Sequence, residues 1–310
     1  MLDPSVISEV LDLLVPSIKS HQQNVHRQRP YILGVSGLQG SGKSTWAKAL
    51  TDLLNNTFHI NTRTVSLDDF YHDHDTLRAI RDANVDNPLL RTRGQPGTHD
   101  EALALEFFSS LKEASSGPIL VPAFDKSRFD GEGDRVDRSQ WETVPRTPQL
   151  EVLIFEGWCV GFQPLPDQEL IAKVSAARDA AIDGPGVEMR TTTLATHRLE
   201  HLKLINDNVR RYCDNFVGSS RFDGLLHLTT DNLQNVYSWR LDQENALRRA
   251  KGTGMTREEV IAFVQGYMPA YELYLDNLSR RPFFPPGSNK THVRVILDDA
   301  RRVVGINECN

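Results

Sequence analysis

The sequence predicts an α/β protein of the P-loop NTPase type: a three-layer fold with a five-stranded parallel sheet, helices on both of its faces, a helical insertion and a lid. Three observations favour this class. Apolar runs typical of buried strands alternate with segments of helical periodicity. The first apolar run, Tyr31 to Val35, leads through a glycine-rich loop directly into a helix. Two later runs end on acidic residues, at the sheet edge where ligands bind in open α/β folds.

The predicted elements follow one another along the chain after an amphipathic N-terminal helix. The predicted strands are Tyr31–Val35, His59–Leu67, a short Pro118–Ala123, Glu151–Phe155, Leu225–Leu228 and His292–Leu297. The predicted helices are Trp46–Leu54, Thr98–Lys112 with Thr98 as its cap, Leu194–Phe216, Leu233–Ala250 and Met255–Leu275. Strands that alternate with helices in this way are typical of a parallel sheet.

Length and composition favour a single domain over residues 1–310. Three segments depart from the regular pattern. Residues 72–148 are polar and rich in turn signals, and we expect them to form an excursion on the substrate side. Residues 170–193 are first alanine-rich and then turn-rich, which predicts a surface insertion. Residues 245–256 end a helix in basic residues and glycines, which predicts the lid.

Charge and cysteine usage exclude several classes of function. A net charge of −6 argues against a general nucleic-acid binder, which needs a basic face to displace phosphate counterions. The three cysteines form no C-x-x-C pair, so neither a disulfide framework nor a zinc site is predicted. The N-terminal stretch lacks the basic start of a targeting peptide, and no uncharged apolar run has the length of a membrane span. We therefore expect a cytoplasmic protein without membrane or nucleic-acid partners.

The glycine loop carries the clearest chemistry. It reads GLQGSGKST and has the spacing G-x-x-x-x-G-K-[ST] of a phosphate-binding P-loop. Glycines allow consecutive backbone N–H groups to turn toward one anion, and the following helix adds its positive dipole end. The alternative, a chance match, is disfavoured by the strand before the loop and the helix after it. The predicted nucleotide-binding residues are Gly37, Leu38, Gln39, Gly40, Ser41, Gly42, Lys43, Ser44 and Thr45.

Phosphoryl transfer also needs a metal, a base and cations. Lys43 is expected on the β- and γ-phosphates, and Ser44 on a magnesium ion. Glu156 is the second candidate metal ligand, or else a structural partner of the P-loop. Asp68 is the candidate base or a helix cap, while Asp69 is the weaker candidate because adjacent strand residues face opposite ways.

A basic cluster ends the helix before Gly252 and Gly254. Its members are Arg248, Arg249 and Lys251. They could close over the phosphates as part of a mobile lid, or simply cap the negative end of the helix. Arg240 could offset transition-state charge, but Glu244 four residues later could equally make it a surface ion pair.

Several segments together resemble the D-glycerate 3-kinase family, which is related to phosphoribulokinase, uridine kinase and pantothenate kinase. The matching segments, in chain order, are GLQGSGKST, SLDDFY from Ser66, RGQPGTHD from Arg93, FDKSRFDGEGDR from Phe124, FEGWCVGF from Phe155, YSWRLDQE from Tyr237 and GMTREEVIAFVQGYMPAY from Gly254. They span most of the chain. The FDKSRFDGEGDR and GMTREEV segments are much more specific to the family than the P-loop.

The resemblance implies ATP- and Mg²⁺-dependent phosphorylation of a small hydroxy acid, D-glycerate, to 3-phosphoglycerate. It makes Asp68 the base and places Arg93, His99, Asp100, Lys126, Arg128 and Arg135 in motifs on the acceptor side. Together with the requirements of phosphoryl transfer, this predicts Lys43, Asp68, Arg240 and Arg248 as catalytic residues. The predicted substrate-binding residues are Asp68, Tyr71, Arg93, His99, Asp100, Lys126, Arg128 and Arg135. An acceptor that is a nucleoside, pantothenate or a sugar phosphate stays open, as does a regulatory ATP-binding protein without catalysis.

Overall fold

A six-stranded sheet runs through the centre of the computed structural model, which describes residues 2–112, 117–180 and 188–309. The strands are β1 Tyr31–Gly37, β2 Thr62–Ser66, β3 Ile119–Val121, β4 Phe124–Asp125, β5 Asp134–Arg135, β6 Glu142–Val144, β7 Val152–Gly157, β8 Gly224–Thr229, β9 Thr291–Leu297 and β10 Val303–Glu308. The sheet has the order β2-β7-β1-β8-β9-β10. Its first five strands are mutually parallel, and β10 pairs antiparallel with β9.

The predicted α/β class and its five parallel strands are confirmed. The sixth strand, β10, was not predicted because its residues are mostly exposed or half-buried and show no strong apolar pattern. The predicted strand at 118–123 forms as β3, but it pairs with β6 in a separate two-stranded sheet. The strands β4 and β5 make a second such pair. All four lie in the excursion between β2 and β7.

Ten helices accompany the strands in the described residues. They are α1 Pro4–Gln23, α2 Lys43–Asn56, α3 His74–Ala83, α4 Glu101–Ser110, α5 Asp167–Asp179, α6 Leu199–Tyr212, α7 Gln234–Lys251, α8 Arg257–Gln265, α9 Met268–Ala270 and α10 Asp276–Arg280. On one side, α1 and α2 pack on the sheet and on each other. On the other, Phe108 of α4 packs on Phe155 of β7, with ring centroids 5.1 Å apart. The sheet therefore lies between two layers of helices.

Two long predicted helices are interrupted. The segment predicted as one helix over 255–275 is divided into α8, α9 and a π-helical turn, Tyr271–Leu275, because Pro269 has no N–H to donate to the preceding turn. The helix predicted over 194–216 is divided into a 3-10 turn, Leu194–Thr196, then α6, and finally a π-helical turn, Cys213–Val217. The helix predicted from Thr98 begins at Glu101, because the side chain of Asp100 provides the cap.

The predicted surface insertion is described only in part. Helix α5 occupies its beginning, and residues 181–187 of the insertion lie outside the described residues. Among the described helices, none combines the length and the apolar character that crossing a membrane requires.

Two histidines are buried in the sheet beside the strand that leads into the P-loop. His227 of β8 and His292 of β9 are both fully buried, and their ring centroids lie 6.2 Å apart. The Nδ1 atom of His292 accepts a hydrogen bond of 3.4 Å from the backbone N–H of Phe283. Burial, assisted by the nearby charge of Arg294, lowers the pKa of His292 to about 4. Burial also lowers the pKa of His227, so both rings are neutral in the folded protein at pH 7.

This burial predicts that the protein loses stability below about pH 6.5. Below this pH the unfolded chain binds protons that the folded chain excludes. The free energy of unfolding is therefore at its full value above the histidine pKa of the unfolded chain, and it falls as the pH drops toward the pKa of the folded protein. For one histidine with the pKa of His292, we expect a loss of about 2 kcal/mol between pH 7 and pH 5. Urea unfolding at both pH values should show a smaller loss in His292→Asn, which keeps an acceptor for Phe283 but does not titrate. An equal loss in the variant and the wild-type protein would contradict this account.

Candidate active site

The P-loop connects β1 to α2 at the carboxyl edge of the sheet. Every residue of β1 is buried, so the loop leaves a rigid strand. Gly40 and Gly42 have φ values of +77° and +90°, which a residue with a side chain rarely adopts. A Cβ atom on Gly40 would lie 2.7 Å from Cβ of Trp239 in α7. Gly40 therefore meets two demands, a left-handed turn and close contact with α7.

Lys43 begins α2 and points back into the loop. Its Nζ atom donates a hydrogen bond of 3.2 Å to the carbonyl oxygen of Leu38. Burial lowers the pKa of Lys43, while the nearby carboxylates of Glu156 and Asp68 act in the opposite direction. The ammonium group thus lies in a partly desolvated position, where a phosphate would bind it more strongly than in water.

Ser44 and Glu156 provide a pair of hard oxygen ligands beside the loop. The parallel register places Val35 of β1 opposite Glu156 of β7. As a result, the Ser44 hydroxyl donates a hydrogen bond of 3.1 Å to Oε1 of Glu156. Oxygen ligands of this kind suit Mg²⁺, which keeps several waters and takes few protein ligands. Among the described residues, no group of three or more His, Cys, Asp or Glu side chains could hold a metal ion.

Asp68 lies in a 3-10 turn, Leu67–Phe70, that follows β2. Ser66 and Asp69 cap this turn, so Asp68 is not needed as the cap. Its carboxylate forms an ion pair with Lys126 and accepts a hydrogen bond of 3.1 Å from the Tyr71 hydroxyl. Burial by itself raises the pKa of Asp68, but the charge and hydrogen bond of Lys126 outweigh it and hold the pKa below its usual value. The carboxylate is therefore ionised at neutral pH.

One cleft of about 670 Å³ contains these groups, a volume suited to a nucleotide. Lys43, Asp68 and Lys126 lie at its P-loop end. The lining also includes Leu2, Asp242, Gln243, Ala246, Ala300 and Arg301. The cleft therefore offers phosphate contacts next to a candidate base, together with a mixed apolar and polar surface.

Two residues of this region were not among the predicted site residues. Arg301 lies at the turn between β9 and β10 with a φ of +62°, donates a hydrogen bond of 3.2 Å to the carbonyl oxygen of Trp239, and pairs with Asp242 at 3.0 Å. The Tyr271 hydroxyl accepts a hydrogen bond of 3.1 Å from the backbone N–H of Gln39 in the P-loop. Both contacts join segments far apart in the chain, so spacing along the sequence could not indicate them.

Tyr71 and His99 form the wall behind Asp68. Both are buried, and their rings stack with centroids 4.3 Å apart. Nδ1 of His99 lies 2.9 Å from the Tyr212 hydroxyl. Burial lowers the pKa of His99 to about 3, so the ring is neutral. In this structure His99 supports the Tyr71 ring and does not line the cleft.

The remaining acceptor-side residues of the prediction contact protein groups outside the cleft. Arg135 donates hydrogen bonds of 2.9 Å to the Tyr71 carbonyl and to Asp100, which caps α4. Arg128 pairs within its own loop, at 3.4 Å, with Asp125 and Asp134. Arg93 donates a hydrogen bond of 2.6 Å to the carbonyl of Gly131 and another to that of Glu132. Of the predicted acceptor-side residues, only Asp68 and Lys126 line the cleft.

The predicted charge-offsetting arginines also lie away from the cleft. Arg240 pairs with the buried carboxylate of Glu244 at 3.0 Å, and its guanidinium lies 4.9 Å from the ring centroid of Phe263. Arg248 donates hydrogen bonds of 3.2 and 3.3 Å to the Gly254 carbonyl. Arg249 is exposed. A role for Arg240 or Arg248 at the phosphates would require them to leave these partners.

This fold and this site define a P-loop kinase. No profile of a known protein family matches the chain. Individual relatives do: an uncharacterised kinase of Schizosaccharomyces pombe, mug58, is 37% identical over 88% of this chain and 90% of its own. The chloroplastic D-glycerate 3-kinase of Arabidopsis thaliana is 34% identical over 90% of this chain, which spans only 55% of that protein.

A solved structure extends the comparison to the whole fold. The D-glycerate 3-kinase of Cryptococcus neoformans superposes with a TM-score of 0.84 at 30% identity, over 98% of this chain and 99% of the other. The chain belongs to the D-glycerate 3-kinase family, as its motifs indicated. It is accordingly a phosphotransferase.

The contact of Gly40 with α7 predicts a specific cost of substitution. Gly40→Ala adds a Cβ atom that collides with the Trp239 backbone and side chain, so we expect a loss of at least about 2 kcal/mol of stability and weaker nucleotide binding. The matched control is Gly117→Ala, which has a φ of +82° but open space around the new atom. It should cost about 1 kcal/mol and leave binding unchanged. Urea unfolding and nucleotide titration measure both, and a Gly40→Ala protein as stable as the control would contradict the steric account.

Proposed function

We propose that this chain is an ATP- and Mg²⁺-dependent D-glycerate 3-kinase, which transfers the γ-phosphoryl group of ATP to the 3-hydroxyl of D-glycerate. The observation that carries the proposal is the position of Asp68, an ionised carboxylate in the same cleft as Lys43 and next to the cation of Lys126. Similarity to D-glycerate 3-kinases supports the choice of acceptor.

The P-loop end of the cleft would hold the nucleotide phosphates. Backbone N–H groups of residues 37–45 would contact the phosphate oxygens, and Lys43 would move from the Leu38 carbonyl onto the β- and γ-phosphates. Ser44 and Glu156 would hold the magnesium ion. When bound, this ion neutralises phosphate charge and orients the transferred group.

Asp68 would act as the base. It would accept the proton of the 3-hydroxyl while that oxygen forms a bond to the γ-phosphorus and the bond from phosphorus to the β-phosphate oxygen breaks, which releases ADP. The hydrogen bond from Tyr71 fixes the orientation of the carboxylate. Because the ion pair with Lys126 keeps the pKa of Asp68 low, the carboxylate is ionised and ready to accept a proton at neutral pH.

Lys126 would recognise the carboxylate of the acceptor. It is exposed, and it already pairs with an anion, Asp68, at the place where the hydroxyl must bind. In a three-carbon hydroxy acid the carboxylate lies two carbons from the reacting hydroxyl, within reach of the same flexible side chain. A neutral acceptor would lack this contact.

The direct test is turnover by the purified chain. With Mg²⁺ and ATP, addition of D-glycerate should produce ADP and 3-phosphoglycerate, identified by mass. Asp68→Asn should lower kcat by about 10²–10⁴-fold while nucleotide binding persists, whereas Asp69→Asn, which replaces the capping carboxylate of the 3-10 turn by an amide, should retain most of the activity. ATP binding without glycerate-dependent ADP formation would reject the proposed acceptor.

The role of Lys126 predicts a change in acceptor discrimination. Lys126→Met should lower kcat/KM for D-glycerate by about tenfold or more relative to glycerol, because only glycerate has the carboxylate. A loss caused by a disturbed Asp68 would lower kcat/KM for glycerate and glycerol alike. The ratio of the two kcat/KM values therefore reports recognition of the carboxylate alone. Arg128→Met, the matched control, removes a cation from the same loop that pairs with Asp125 and Asp134. A ratio that falls equally in both variants would exclude Lys126 as the recognition residue.

A further inference from the structure

A second cavity lies apart from the cleft, between α3, the loop 88–98 and the turn 129–132. Its volume is about 200 Å³. Neither Lys43 nor Asp68 nor Lys126 lines it. Four arginines do: Arg78, Arg81, Arg91 and Arg93. Such a concentration of guanidinium groups around one small cavity is unexpected in a chain with a net charge of −6.

The cavity carries an excess of positive charge. Its acidic side chains are Asp130 and Glu132, so the four arginines outnumber the carboxylates by two. Glu132 already accepts hydrogen bonds from Arg81, at 2.9 Å, and His74, at 2.7 Å. Within the described residues, neither the Arg78 nor the Arg91 side chain makes a hydrogen bond or an ion pair. Two guanidinium groups are therefore available to a ligand that bears two negative charges.

The walls of the cavity limit the size of that ligand. Leu77 and Leu90 give it an apolar side, and next to it Phe129 stacks on His74 with ring centroids 3.8 Å apart. An apolar cavity of about 150 Å³ admits benzene, so a cavity of this volume accommodates roughly ten non-hydrogen atoms. A nucleotide is too large.

We propose that this cavity is a second anion site, which binds a small phosphorylated or dicarboxylic acid with a short carbon skeleton. Arg78 and Arg91 bind the charged groups, and the leucines contact the carbons. This site does not depend on the identity of the kinase acceptor.

The site is connected to the candidate base through one arginine. The guanidinium of Arg93 lies 6.0 Å from the ring centroid of Tyr71 and 5.4 Å from that of Phe124, and the Tyr71 hydroxyl donates to Asp68. The same guanidinium holds the turn 129–132 through two carbonyls. An anion in the cavity competes with these carbonyls for Arg93, so binding there affects the wall behind Asp68.

Inorganic phosphate is the probe for the test. The full chain is first saturated with Mg²⁺ and a non-hydrolysable ATP analogue, which fills the cleft, and the binding of radiolabelled phosphate is then measured by equilibrium dialysis. We expect one phosphate per chain, and binding weakened by at least about tenfold in Arg78→Gln/Arg91→Gln. Both arginines are exposed, so the variant retains its fold. The matched control is Arg63→Gln/Arg280→Gln, which removes two exposed arginines that line neither cavity.

Each outcome decides the proposal. Binding that is lost in the cavity variant and kept in the control supports a second anion site. No binding to the nucleotide-filled chain, equal loss in both variants, or full binding in the cavity variant overturns it. Displacement of phosphate by D-glycerate in direct competition also overturns it, because the cavity would then be part of the acceptor site.

Discussion

The parallel pairing of β1 with β7 is the constraint on which the active centre depends. It places Glu156 beside the strand that leads into the P-loop, and the hydrogen bond from Ser44 to Glu156 then follows from the start of α2. A shift by one residue would turn Glu156 to the opposite face of the sheet. The two proposed metal ligands therefore come from elements separated by more than a hundred residues, and their geometry is set by strand register, not by local sequence.

The charges around this centre are balanced before any ligand binds. Lys43 lies near Asp68 and Glu156, and Lys126 pairs with Asp68. Burial lowers the pKa of Lys43 and acts to raise that of Asp68, and the opposite charges nearby counteract both effects. Nucleotide phosphates would add negative charge and favour the protonated form of Lys43 still further. An acceptor carboxylate would likewise attract Lys126 away from Asp68, so substrate binding and release of the base would be linked.

Many charged residues of the excursion between β2 and β7 make contacts that stabilise the excursion and do not line the cleft. Asp100 caps α4, Arg135 ties that cap to the backbone of Tyr71, and Arg93 holds the turn 129–132. These contacts stabilise the wall that carries Tyr71 and, through it, orient Asp68. The same excursion forms the arginine-lined cavity, which the chain could use to respond to a second anion without altering the P-loop.

The sequence by itself determined the class of fold, the P-loop, the family and the residues at the strand ends. These features depend on local spacing, because G-x-x-x-x-G-K-[ST] between a strand and a helix indicates a phosphate-binding loop without knowledge of the rest of the fold. Only the tertiary structure decided which charged residues face the cleft. Within the motif that begins at Phe124, Lys126 reaches Asp68 while Arg128 pairs with acids of its own loop, and sequence spacing cannot distinguish the two. Tyr271 and Arg301 approach the P-loop from more than two hundred residues away, because tertiary packing brings the turn after α9 and the turn between β9 and β10 next to it.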